Sequence, residues 1–95
     1  MGISRMMTIS MSHITTETSD WLDKEVVSAR VITAYAKEGY GWFIVITPVD
    51  LDNGNIPEDL MRCMKLAYKK KCQWLCIDQD GEVLDDLPVF EESEE

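Results

Sequence analysis

The one histidine, His13, and the three cysteines, Cys63, Cys72 and Cys76, are the residues of this 95-residue chain best suited to nucleophilic or metal chemistry. A cysteine nucleophile needs an imidazole or another base within hydrogen-bond reach. His13 falls in phase with Ile9 and Met11 on an alternating segment, which suits a packed or rim residue better than a catalytic base. Cys72-x-x-x-Cys76 with His13 supplies three soft ligands, four with Cys63, at a spacing zinc sites do not favour. An odd cysteine count without a secretory signal points to reduced, buried thiols and a cytoplasmic setting. No metal or cofactor is expected.

Two acidic runs, Asp50-x-Asp52-x-Gly54 and Asp78-x-Asp80-Gly81, echo a calcium loop. An EF-hand places its glycine sixth and a glutamate twelfth, whereas these glycines fall fifth and fourth, so both runs read as turns. The chain has no glycine-rich phosphate cradle and no nucleophile elbow. With 18 acidic residues in 95, chance carboxylate pairs are expected and do not mark acid–base catalysis. The expectation is a protein that binds rather than an enzyme.

The elements that would position these residues follow from the hydrophobic pattern. Residues 8–14 alternate, as a half-buried strand does. Thr15 or Thr16 can cap a short helix with Glu17 and Asp20 in its first turn. Residues 30–37 and 40–47 are rich in β-formers around the turn pair Glu38-Gly39, which predicts a hairpin whose second arm is apolar on both faces and central in the sheet. Pro57 opens a second helix, with Glu58 and Asp59 at its start and Lys69, Lys70 and Lys71 at its end, each matching the macrodipole. Residues 72–78 form another strand apolar on both faces, and 82–84 can return as a short fifth strand.

The order β-α-β-β-α-β predicts an α+β domain related to the ferredoxin-like fold, with two helices on one face of an antiparallel or mixed sheet. One feature conflicts with that fold, where the last strand lies at an edge: residues 72–78 look buried on both faces. Residues 1–7 read as a flexible N-terminal extension, 8–90 as the single domain and 91–95 as an acidic tail. No apolar run approaches the ~20 residues that span a bilayer, so no membrane association is expected.

Charge is the most informative feature. Residues 1–71 carry nine basic and nine acidic residues, whereas residues 72–95 carry nine acidic and no basic ones, so the net charge of −9 lies in the last quarter. Such a surface repels phosphates, which argues against direct nucleic-acid binding, and attracts basic protein surfaces. Asp78, Asp80, Glu82, Asp85 and Asp86 lie inside patterned sequence and are the candidate partner-binding residues. Trp42 and Trp74 read first as core residues of their strands; exposed with Tyr35 on an uncovered sheet face, they would join the candidates as an anchor patch of the kind that dominates protein interfaces.

Several motifs point to a family. The run Ile9-Ser10-Met11-Ser12-His13-Ile14-Thr15, followed by Glu17-Thr18 and Trp21-Leu22-Asp23, is one of them. Tyr40-Gly41-Trp42-Phe43, Ile56-Pro57-Glu58-Asp59-Leu60, Cys72-Gln73-Trp74-Leu75-Cys76-Ile77-Asp78 and Asp86-Leu87-Pro88 are the others. Together they resemble a family of small bacterial proteins of unknown function carried on phages, plasmids and integrated elements. The resemblance runs from Thr8 to Phe90 and implies no activity and no catalytic residue. It implies a context in which accessory proteins are often small, acidic inhibitors of host defence. The tail after Phe90 is longer than the family pattern. Two functions are therefore expected as alternatives. One is an inhibitor or modulator, anti-CRISPR or anti-restriction in kind, that occupies a basic nucleic-acid-binding surface. The other is a structural or regulatory homodimer whose acidity serves solubility.

Overall fold

The computed structural model describes residues 5–37 and 41–90. The turn pair Glu38-Gly39, the tail 91–95 and the first four residues lie outside them. The order is β1 (Met6–Ser10), a 3-10 turn (Met11–His13), α1 (Thr16–Ser28), β2 (Ala34–Ala36), β3 (Gly41–Val45), a second 3-10 turn (Asp50–Asp52), α2 (Glu58–Lys69) and β4 (Trp74–Asp78). The β-α-β-β-α-β order expected from the pattern is the one found.

The sheet runs β1-β4-β3-β2, with β4 parallel to β1 and antiparallel to β3. It is a mixed sheet, and its last strand is inside it. That resolves the conflict with the ferredoxin-like arrangement. β4 is apolar on both faces because it has a strand on each side, while β1 alternates because it is the edge. In register, Met7, Ile9, Leu75, Ile77, Trp42, Ile44 and Ala34 share one face. They are buried in one core with Leu22 of α1 and Leu60, Met64 and Ala67 of α2.

Local interactions explain where the elements differ from expectation. β1 starts at Met6, and Met7 belongs to the core. It ends at Ser10, whose hydroxyl accepts the Ser12 N–H at 3.1 Å and starts the 3-10 turn instead of continuing the strand. Thr15 is the cap of α1, its hydroxyl accepting the Thr18 N–H at 3.2 Å. The helix then runs for 13 residues to Ser28. Its far end is closed by Glu25, a buried carboxylate that accepts the N–H groups of Val31 at 2.7 Å and Ile32 at 3.1 Å. Of the two, Val31 has the parity that faces β3, so its N–H goes to Glu25 instead of to the sheet; β2 is three residues where eight were anticipated. Asp59, near the start of α2, accepts the Thr15 N–H at 2.8 Å and the Thr18 hydroxyl at 2.7 Å, tying the two helix N-termini together.

The short fifth strand at residues 82–84 does not form. The Leu84 N–H is taken by His13 and the Glu82 carbonyl by the N–H of Ser10, so this stretch lies across the end of β1 instead of returning along β4.

Gly41 is fixed by geometry. Its φ is +156°, and an added Cβ would overlap the Ile77 carbonyl oxygen on β4. Gly41→Ala should therefore destabilise the fold by about 1–3 kcal/mol through strain at a backbone conformation L-residues avoid. Urea denaturation, with an unchanged slope and an earlier midpoint, is the measurement that checks it.

Candidate functional site

Two surfaces hold the residues that could engage a partner. The first is the sheet face turned away from the helices. Register places three rows on it: Met6, Trp74 and Val45; Thr8, Cys76, Phe43 and Tyr35; and Ser10, Asp78 and Gly41. Tyr35 is 52% exposed and Met6 46%. The Tyr35 and Trp74 rings reach across β3 to a centroid separation of 6.1 Å.

Trp42 is not on this face. Its position in β3 puts it in the helix-side core, where its indole N–H donates to Asp23 of α1 at 3.0 Å. Phe43, next in sequence, takes the outward place. A strand apolar on both faces gives no period from which to choose the parity, so the sequence could not separate the two.

Lys37 closes the far end of the face. Its ammonium pairs with Asp78, stands 5.6 Å from the Phe43 ring centroid and lies 4.0 Å from the Cys76 sulfur. The hydrogen bond from Lys37, helped by the Asp80 N–H at 2.9 Å, holds the Asp78 carboxyl below the usual carboxylate range. The same bond raises the Lys37 pKa. Burial pushes the Cys76 thiol up. Asp78 is therefore committed to an internal pair and a turn, unlike the other four candidate acids.

Those four form the second surface. Asp80, Glu82, Asp85 and Asp86 are all exposed, on a segment without regular secondary structure that is nonetheless tightly held. The Ser10 N–H donates to the Glu82 carbonyl at 2.8 Å, and the Phe90 N–H to the Ser12 carbonyl at 2.8 Å. Leu87 is buried in the core. His13, fully buried, bonds both ends of the stretch between them: Nδ1 lies 2.7 Å from the Pro88 carbonyl and Nε2 2.9 Å from the Leu84 nitrogen. A carbonyl can only accept and an amide N–H only donate, so the ring is the Nδ1–H tautomer with a lone pair on Nε2.

This arrangement leaves His13 no free nitrogen with which to act as a base. Cys63 meets the His13 carbonyl, not its ring, at 4.0 Å, and burial pushes its thiol up to about 12. Asp78 and Asp80 form a turn in which the Asp78 carboxylate accepts the Asp80 N–H and its carbonyl the Gly81 N–H. Among the described residues no group of three His, Cys, Asp or Glu side chains is placed to hold a metal ion, and no helix is long and apolar enough to cross a membrane.

The model of a family of unknown function, described as the DUF5983 C-terminal domain, matches residues 6–92. The chain belongs to that family. Comparison with curated proteins and with solved structures gives no match. For this member of the DUF5983 family, the matched span takes in β1, the whole sheet and the acidic segment. Both surfaces therefore lie within the family domain.

Two measurements probe the site. His13→Ala leaves the Leu84 N–H and Pro88 carbonyl without partners and should cost about 2–4 kcal/mol. Hydrogen exchange should then rise at Leu84 and Phe90 well above any rise in β3; uniform change across the domain would refute the clasp. For the ion pair, the folded Asp78 pKa lies below its unfolded value, so its stabilisation is fully present above the ordinary carboxylate pKa. It fades as pH falls through the lowered one. The stability difference between wild type and Asp78→Asn, followed by thermal melts, should be widest near neutrality and close in acid.

Proposed function

We propose that this chain is a protein-binding inhibitor or modulator carried by a mobile genetic element. It would lay its acidic C-terminal segment against a basic, nucleic-acid-binding surface of a host protein. Defence nucleases and CRISPR complexes are the class of partner that presents such a surface. The reading rests on one observation above the rest: Asp85 and Asp86 are exposed between Leu84 and Pro88, the two positions that His13 holds, and exposed Asp80 and Glu82 lead into them on a stretch tied at the Glu82 carbonyl by the Ser10 N–H. An acidic segment that serves only solubility needs no such fixing. One that must match a set of basic side chains gains from it, because the ordering cost is met in folding and not on binding.

The charge distribution adds to this. All of the net negative charge lies in residues 72–95, and charge of one sign speeds encounter with a basic partner in a way that weakens with salt. Trp74 and Tyr35 on the open sheet face offer aromatic area of the kind that anchors interfaces.

The test is a capture experiment from nuclease-treated bacterial lysate. Wild type runs beside a variant in which Asp80, Asp85 and Asp86 become Asn and Glu82 becomes Gln, with Asp78 left intact to keep its pair with Lys37. Wild type should retain a nucleic-acid-binding protein, release it as salt is raised and block its binding to DNA or RNA. The variant should do none of these. Equal retention by both proteins, or a retained partner that still binds nucleic acid, would sink the proposal.

A further inference from the structure

The outer side of β1 is where the described fold leaves main-chain groups with no strand to bond. Successive strand residues turn their N–H and C=O groups to opposite sides. The Arg5 carbonyl turns inward, accepting the N–H groups of Gln73 at 2.9 Å and Trp74 at 3.1 Å, whereas the Ser10 N–H turns outward to Glu82. Met7 and Ile9 share the parity of Arg5 and face β4. Met6 and Thr8 share that of Ser10 and face away from the sheet, where no other described strand lies. Both are exposed.

Natural sheets usually blunt such an edge with charge, proline or a covering loop. Here the acidic segment covers only the Ser10 end, and Gly81 fits there because an added Cβ would overlap the Ile9 carbonyl. Met6 and Thr8 stay open. The edge also has a polarity: the exposed Arg5 stands at its start, and Glu82, also exposed, at its end. A strip that is positive at one end and negative at the other complements itself when turned about a two-fold axis, the commonest symmetry of homo-oligomers.

We infer that β1 is a homodimer interface, in which two copies pair their β1 strands antiparallel with Met6 of each opposite Thr8 of the other. Glu82 fixes this register. It fills the place outside Ser10, so a partner strand must stop short of it, and the Met6–Thr8 register uses both open residues of both copies. Four main-chain hydrogen bonds join the strands, and the two sheets become one of eight strands. Arg5 of each copy comes to the end of the partner's β1, beside the partner's Glu82. The axis stands perpendicular to the sheet, so the open faces lie on the same side and the Met6–Trp74 ends of the two copies adjoin.

Charge reversal tests this directly. Arg5→Glu, Glu82→Arg and the double reversal all alter exposed side chains whose structural bonds are made by the main chain, so circular dichroism should match wild type for each. Sedimentation velocity over a concentration series should show wild type moving from 10.9 kDa towards twice that mass. Each single reversal should weaken the dimer by about ten-fold or more, and the double reversal should recover it. A wild type that stays monomeric throughout would overturn the inference. So would a dimer indifferent to both single reversals, or single losses that the double reversal does not recover. Arg5→Glu leaves the acidic segment intact, so its effect on mass stands apart from capture of a basic partner.

Discussion

The arrangement depends most on one buried ring. His13 is joined to residues 71 and 75 positions away in sequence, and through them it holds the end of the described chain against its beginning. A carbonyl on one side and an amide N–H on the other fix both the tautomer and the plane of the imidazole. A second proton on Nε2 would turn the Leu84 contact into two donors facing each other. What looks by composition like the one base available for catalysis is thus spent as a main-chain clasp. The acidic segment has a fixed shape because of it, and the two helix N-termini, joined by Asp59 to Thr15 and Thr18, meet just beyond it.

Much of the fold was legible because the pattern of each element was consistent with its neighbours. The alternation of Thr8, Ile9 and Ser10 marked a strand with one covered face. The doubly apolar Trp74 to Ile77 marked a strand inside the sheet, and that alone was enough to question the ferredoxin-like strand order. What could not be read were effects that depend on a side chain reaching main chain some distance away. Glu25 holds the chain ahead of β2 by accepting N–H groups six and seven residues on, the nearer of which would otherwise face β3. His13 denies 82–84 their ladder from across the domain. Neither residue type, in its local context, announces that role.

The candidate site was legible in the same partial way. The acidic segment followed from counting charge along the chain, and its exposure is seen at Asp80, Glu82, Asp85 and Asp86. Asp78 carries the same charge but sits on the sheet, where Lys37 claims it, and only the pairing of β2 with β3 and of β3 with β4 brings that lysine within reach. Trp42 and Phe43 differ by one position, and in a strand apolar on both faces one position decides between core and surface.

The parallel pairing of β1 with β4 carries a consequence for how the chain comes to be folded. The only strand that β1 pairs with among the described residues is β4, so β1 has no partner in this sheet until β4 has been made. A nascent chain carrying β1, α1, β2 and β3 can form α1 and the β2–β3 pair but lacks the strand on which β1 adds. Closure brings together segments some seventy residues apart, a non-local step whose loop entropy slows it. The domain is therefore built to assemble in one late event, and until then its most apolar strands stay within reach of whatever attends new chains.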